Sequence, residues 1–204
     1  MPDDAGPTRI QARNRARILE AGLDVFSTDG FRGATLDAIA GASGLSKPNL
    51  LYYFSSKEAI YLALLDSLLQ TWLDPLRALD PHGDPVEEIL AYVRRKLTLA
   101  RDFPRESRLF AGEILRGAPQ IEHALAGDLR DLVDSHAIIL SEWMRAGRIA
   151  RSDPHHLIFS IWALTQHYAD FDVQVRAVLG DERDAWAEAA TEVEQHFRRV
   201  LRPD

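Results

Sequence analysis

Three features of this sequence predict an all-α fold. Apolar residues recur at 3.6-residue spacing through long stretches. Period-two alternation, the mark of a half-buried strand, is nearly absent. Hydroxyl and carboxylate caps open the periodic segments, and glycine or proline closes them.

The first helix is expected from Thr8 to Thr28, with Ile18, Ala21, Gly22, Val25 and Phe26 on its inner face and Gly30 ending it. Thr35 is placed to cap a second helix whose narrow apolar face is Leu36, Ile39 and Ala40. Gly41 to Gly44 breaks it, Gly44 supplying left-handed backbone for a sharp turn. Ser46 caps a third, short helix that carries Lys47, Asn49, Tyr52 and Tyr53. Ser55-x-x-Glu58 has the form of a capping box for a fourth. There Ile60, Leu64, Leu68 and Trp72 stand four apart until Pro75 ends or kinks the helix.

Asp80 to Pro85 is a loop by composition. Helices are expected over about 86–101, 105–116, 119–126 and 128–146, separated by Phe103-Pro104, Gly117-Ala118-Pro119 and Gly127 and closed by Gly147. Asp153-Pro154 joins a cap to a first-turn proline and opens a helix of about 155–178, which Gly180 closes. A last helix covers about 182–201, before Pro203.

With 204 residues and 46% hydrophobic composition, the chain can bury one core, or one core and a small appended module. No apolar run reaches the roughly 18 residues of a membrane helix, and the first residues lack the apolar stretch of a secretory signal. There is no cysteine for a disulfide, an iron–sulfur cluster or a thiolate zinc site. The expected location is the cytoplasm, associated with the nucleoid when DNA is bound. None of the seven histidines stands in H-E-x-x-H, and none follows a glutamate by three residues. G-x-x-x-x-G-K and G-x-S-x-G are also missing. No catalytic residue, metal or cofactor is therefore assigned, and an all-α enzyme is a remote alternative.

The net charge of −7 is unevenly spread. Residues 1–57 hold seven Lys/Arg against six Asp/Glu, the remainder 17 against 25. A DNA-facing head on an acidic body fits that asymmetry. A helix too short to hold a core, carrying cationic, amide and phenolic tips behind a fixed turn, suits a DNA major groove. Thr35 and Ser46 lie at helix N-termini, whose free N–H groups favour phosphate. Lys47 suits guanine O6 and N7, and Asn49 suits adenine N6 and N7. Pro48 stiffens the helix start, and Lys57 is placed for phosphate charge. Of Tyr52 and Tyr53, one packs inward; Tyr53 is taken as the outward ring. Arg9, Arg13, Arg15 and Arg17 either reach a flanking groove or form a solvated face.

Phe26 with Gly30-Phe31, Thr35-Leu36, Ile39-Ala40, Gly44-Leu45-Ser46, Tyr52 with Phe54, and Lys57-Glu58-Ala59 together resemble the TetR family of one-component transcriptional regulators. The commonest family wording has tyrosine at the position of Leu51 and histidine at that of Tyr53. The resemblance implies a helix-turn-helix head over residues 1–54, a connecting helix from 56, and a ligand-binding and dimerisation domain over 55–204. It also implies a repressor of a double-stranded, palindromic operator. Thr71 to Leu76, Arg94 to Pro104 and Thr165 to Phe171 resemble the members that regulate pyrimidine utilisation, which bind uracil or thymine. That likeness implies a pocket lined by Trp72 and Gln166, with Lys96, Arg101, Tyr168 and Asp170 as further candidates. A repressor for an unrelated hydrophobic ligand is the alternative.

The body residues support two readings each. Gln166 stands in an otherwise apolar helix and needs a partner, either on a neighbouring helix or on a bound ring with alternating C=O and N–H groups. Trp72 is either core or a stacking wall, near the end of the helix that leaves the head. A ligand acting there can pivot that helix and change the spacing of two reading heads. Ile158, Ile161 and Trp162 belong to a helix apolar around most of its circumference. They pair with Trp186, Val193 and Phe197 of the last helix either in one subunit's core or in the interface of a homodimer, the favoured expectation.

Overall fold

The computed structural model describes residues 9–180 and 182–203; the expected start at Thr8 lies outside them. These residues form eleven α-helices: α1 (Arg9–Gly33), α2 (Leu36–Ser43), α3 (Lys47–Tyr53), α4 (Lys57–Arg77), α5 (Pro85–Asp102), α6 (Pro104–Leu115), α7 (Glu122–Ala124), α8 (Arg130–Arg145), α9 (Pro154–Asp170), α10 (Asp172–Leu179) and α11 (Ala185–Val200). A π-helical turn, Leu125–Leu129, joins α7 to α8.

The caps act as the sequence requires. Thr35 Oγ1 accepts from Ala38 N at 3.1 Å, Asp84 Oδ1 from Glu87 N at 3.0 Å, and Asp153 Oδ1 from His155 N at 2.9 Å. α1 meets its break at Gly30, where φ is 67° and ψ is 171°, before one further turn. Gly44 takes φ 66°, and its N–H reaches back to the last carbonyls of α2. A side chain there would carry the strain of left-handed backbone, and its Cβ would lie 2.9 Å from the Arg17 guanidinium.

Several boundaries differ from the sequence reading. α4 is capped by Ser56, whose Oγ accepts from Ala59 N at 3.2 Å, rather than by Ser55. Pro75 lies inside the last turn of α4, where one lost hydrogen bond does not stop the helix. Gly127 does not separate two helices, because the π turn carries the chain through it. The expected helix over 155–178 divides at Phe171, where φ is −114° and ψ 27°, into α9 and α10.

Two apolar cores share α4. One joins α1, α2, α3 and the first part of α4 to Leu109 of α6 and to Ile121. Gly22 makes this packing possible, since a Cβ there would meet Ile60 Cγ2 at 2.9 Å. The second core collects Leu76, α5, α8, α9 and α11. Ile158 and Ile161 are each 1% exposed in this core, with Val193 at 4% and Phe197 fully buried. These four belong to one subunit's interior, which corrects their assignment to a dimer interface. Trp162 and Trp186 are half-buried against the same core.

Candidate functional site: a helix-turn-helix face and an unsatisfied cavity

α3 is anchored by Leu50, wholly buried, and followed by Phe54, 4% exposed. This anchoring leaves Ser46, Lys47, Pro48, Asn49, Leu51 and Tyr52 exposed, with Thr35 exposed at the start of α2. The Ser46 hydroxyl accepts from Asn49 N at 3.4 Å, so it caps the helix while the N-terminal turn faces outward. Lys47 Nζ pairs with Asp37 Oδ2 at 2.9 Å across the turn, an exposed contact that orients the ammonium at little energetic gain.

The two tyrosines exchange their expected roles. Tyr52 is 70% exposed, and its hydroxyl accepts from Gln11 Nε2 at 3.2 Å. Tyr53 is half-buried against the first core, its hydroxyl accepting from Asn14 Nδ2 at 2.9 Å. The burial of Leu50 accounts for the exchange: Tyr53 lies three residues from this anchor, on its face of α3, whereas Tyr52 lies four from exposed Pro48. Leu51, 40% exposed, was missed by sequence reasoning, although it lies four residues after Lys47 on the same face.

Lys57 turns back onto the end of α1 in this structure. Its Nζ donates to Phe31 O at 2.7 Å and Ala34 O at 2.9 Å, and lies 4.5 Å from the centre of the Phe31 ring. It therefore closes the carbonyl end of α1. The α1 arginines divide as well: Arg15 covers the Phe54 ring at 4.2 Å, and Arg17 donates to Ser43 O at 2.6 Å. Arg9 and Arg13 remain on the exposed side.

In the body, Trp72, Lys96 and Gln166 line one small cavity of about 50 Å³, together with Leu69, Phe110, Leu129 and Trp162. Trp72 Nε1 is buried and has no hydrogen-bond partner among the described residues. Lys96 is 3% exposed, with Nζ 4.5 Å from the centre of the Trp72 ring. Neither the Lys96 ammonium nor the Gln166 amide has a hydrogen bond or ion pair among the described residues. Burial pulls the Lys96 pKa down to about 7, against the opposing pull of Asp170. Asp170 accepts from Ser107 Oγ at 2.6 Å; burial raises its pKa, opposed by Ser107, Lys96, Arg108 and His167. Desolvation thus pushes both Lys96 and Asp170 toward neutrality.

An outer cleft of about 410 Å³ shares Phe110 and Gln166 with this cavity and adds Arg108 and Asp170. A larger cleft, about 500 Å³, lies between α4 and α5, but its Arg94 is already paired with Glu87 and Glu194. Unspent polar groups, rather than volume, mark the inner cavity as the better ligand site. Three candidates fall outside it: Asp170 lines the outer cleft only, and Arg101 and Tyr168 line neither. Arg101 is exposed and bonded to Asp102 at 2.8 Å, and Tyr168 packs against Trp186 with ring centres 6.0 Å apart.

α6 connects this cavity to the head. Its Ser107 holds Asp170, while Arg105 binds Glu20 at 2.9 Å and also Asp24, both on α1.

A buried-core helix-turn-helix with an exposed polar second helix, joined through α4 to a cavity-bearing helical body, defines a ligand-responsive DNA-binding protein. Residues 18–64 match the bacterial regulatory proteins of the tetR family, and residues 65–204 match the YcdC-like protein C-terminal region. The HTH-type transcriptional regulator RutR of Escherichia coli K12 is 50% identical over 171 residues, spanning 84% of this chain and 80% of that protein. The regulator UidR of the same organism is 37% identical over 89 residues, 44% of this chain and 39% of its own. Among solved structures, a tetR-family regulatory protein from Rhodococcus RHA1 superposes with TM-score 0.75 at 21% identity, covering 94% of this chain and 99% of that one. AibR in complex with isovaleryl coenzyme A and operator DNA gives 0.72 at 19%, covering 94% and 100%. At such identities the two structures establish the fold. The chain belongs to the TetR family. It is a DNA-binding transcriptional regulator that acts as a homodimer, and its family is one of regulators rather than enzymes. No helix among the described residues is long and apolar enough to cross a membrane.

Proposed function

We propose that this chain is a cytoplasmic repressor whose grip on a palindromic operator is controlled by a pyrimidine base, uracil or thymine. One observation carries the effector assignment: Trp72, Lys96 and Gln166 line one cavity, and the Trp72 N–H, the Lys96 ammonium and the Gln166 amide form no hydrogen bond among the described residues. Uracil and thymine present alternating C=O and N–H groups, which an amide matches two bonds at a time. Half identity to RutR over 84% of the chain supports the assignment, because this stretch includes most of the body.

In this reading residues 1–54 form the DNA-binding head and 55–204 the ligand-binding and dimerisation body, with α4 serving both. Lys47, Asn49, Leu51 and Tyr52 face the major groove, Thr35 and Ser46 face phosphates, and Pro48 holds the first turn of α3. The second subunit packs on the outward side of α9, where His156, Phe159, Ala163 and His167 form one exposed stripe. The inner cavity is smaller than a substituted six-membered ring. Ligand entry therefore moves Phe110 or Gln166 toward the outer cleft, and α6 passes that motion to α1 through Arg105. Coupling of this type amounts to about 1–3 kcal/mol.

A thermal-shift screen of nucleobases against lipophilic compounds and acyl thioesters tests the assignment. Uracil or thymine is expected to raise the melting temperature and to lower operator affinity. A shift with hydrophobic compounds and none with millimolar bases would transfer the site to a hydrophobic effector.

A further inference from the structure

Lys96 reaches the inner cavity from α5 and Trp72 from α4, and each brings a donor with no acceptor among the described residues. Asp170, the carboxylate whose charge acts on Lys96, is held by Ser107 at 2.6 Å and forms no ion pair with Lys96 among the described residues. The lining thus brings two donors, on Trp72 and Lys96, that no protein oxygen receives; its one side-chain amide oxygen, on Gln166, is hydrogen-bonded to neither among the described residues. A ring carbonyl has two lone pairs and can accept from both.

We propose that Lys96 and Trp72 Nε1 together hold one carbonyl oxygen of the effector ring, and that Lys96 draws a proton from solvent as the ring enters, making effector binding proton-linked. This rests on the pyrimidine reading and extends it by making Lys96 the residue that selects a carbonyl-bearing edge. No covalent bond changes: the amine takes up one proton, and the resulting ammonium donates one N–H to the carbonyl.

The groups around Lys96 support this assignment. From α4 the cavity receives only Leu69, Trp72 and Leu73, and from the π turn only Leu129. Among the described residues, Asp170 on α9 is the charged group that acts on the Lys96 charge; Arg108 of α6 and His167 of α9 act on Asp170 in turn. On α5 itself, burial keeps the Tyr92 hydroxyl protonated, and it accepts from Trp162 Nε1 at 2.6 Å. Burial leaves the Lys96 amine half-charged near pH 7, so a new acceptor shifts its balance within the physiological range.

The test is calorimetric titration of the full-length dimer with uracil at pH 7 in two buffers of different ionisation heat. The expected result is uptake of up to about half a proton per uracil, with affinity falling by up to roughly tenfold per unit as pH rises from 7.5 to 8.5. In Lys96→Met the uptake disappears; uptake that survives the substitution overturns the proposal. Binding of uracil with equal heat in both buffers and equal affinity at pH 7 and 8.5 overturns it too, while leaving the effector assignment intact. Absence of both heat and melting shift with uracil and thymine at every pH removes the effector assignment and this proposal with it.

Discussion

The Tyr61 hydroxyl donates to Glu113 Oε2 at 3.0 Å, joining the helix that leaves the DNA head to the helix that walls the ligand cavity. Tyr61 is wholly buried and Glu113 is 1% exposed. Arg116 donates to the same phenol at 2.9 Å, and Gln120 N reaches the other Glu113 oxygen at 2.9 Å. Phe26 and Phe31 pack on the Tyr61 ring at 4.9 and 4.8 Å. One buried cluster therefore gathers the end of α1, the start of α4 and the end of α6.

Tyr61→Phe removes the hydroxyl from this cluster and is expected to destabilise the fold by about 1–3 kcal/mol. Combined with Glu113→Gln, the loss should fall short of the sum of the single losses, because the two groups share one bond. Denaturant unfolding of the four proteins provides the measurement, and strict additivity would contradict the network.

Lys47→Ala and Tyr52→Ala are each expected to weaken operator binding by tenfold or more, with little change in melting temperature. Lys57→Ala should act the other way round, lowering stability by about 1–2 kcal/mol because two carbonyls at the end of α1 lose their donor. Operator titrations run beside thermal melts separate the two classes. Unchanged DNA affinity in both Lys47→Ala and Tyr52→Ala would refute the assigned reading face.

Gln166→Ala should erase the melting shift given by uracil or thymine while leaving the melting temperature of the free protein nearly unchanged. Its amide has no protein partner among the described residues to lose. A full shift in the variant would place the ligand elsewhere.

The stability of the free protein should carry the signature of Lys96. Its folded pKa is depressed from 10.5 to about 7, so between those values the unfolded chain binds the proton that the folded chain releases. Stability from this group therefore rises with pH across that window, by at most about 1.4 kcal/mol per pH unit, and is least favourable below pH 7. Lys96→Met removes the slope. Unfolding of both proteins at pH 7, 8 and 9 measures it, and parallel curves would contradict the depressed pKa.

Local chemistry made much of this molecule legible before any coordinates. Thr35, Ser46, Asp84 and Asp153 cap helices where a hydroxyl or carboxylate precedes an apolar period, and Gly44 turns where only glycine is unstrained. Exposed Lys47 and Asn49 follow from a helix with few apolar anchors. The Trp72–Gln166 pair came from the family resemblance, since the residues alone left each open between core and ligand contact; the structure brings both to one cavity. Spacing alone did not choose between Ser55 and Ser56 as a cap, because both precede the same helix and only backbone geometry selects one. Nor did it choose between Tyr52 and Tyr53, adjacent on a helix whose tilt against the core decides which turns inward.

By itself, then, the sequence determined the helical class, the turn of the reading head and the polar residues available to each site, because caps, glycines and 3.6-residue periods act within a few neighbours along the chain. Only the tertiary structure decided that Ile158, Ile161, Val193 and Phe197 fill their own subunit, that Lys57 closes α1, and that Lys96 rather than Arg101 or Tyr168 enters the cavity. Those outcomes depend on which face of each helix meets another helix distant in sequence, a choice made by packing volume and desolvation across the whole fold.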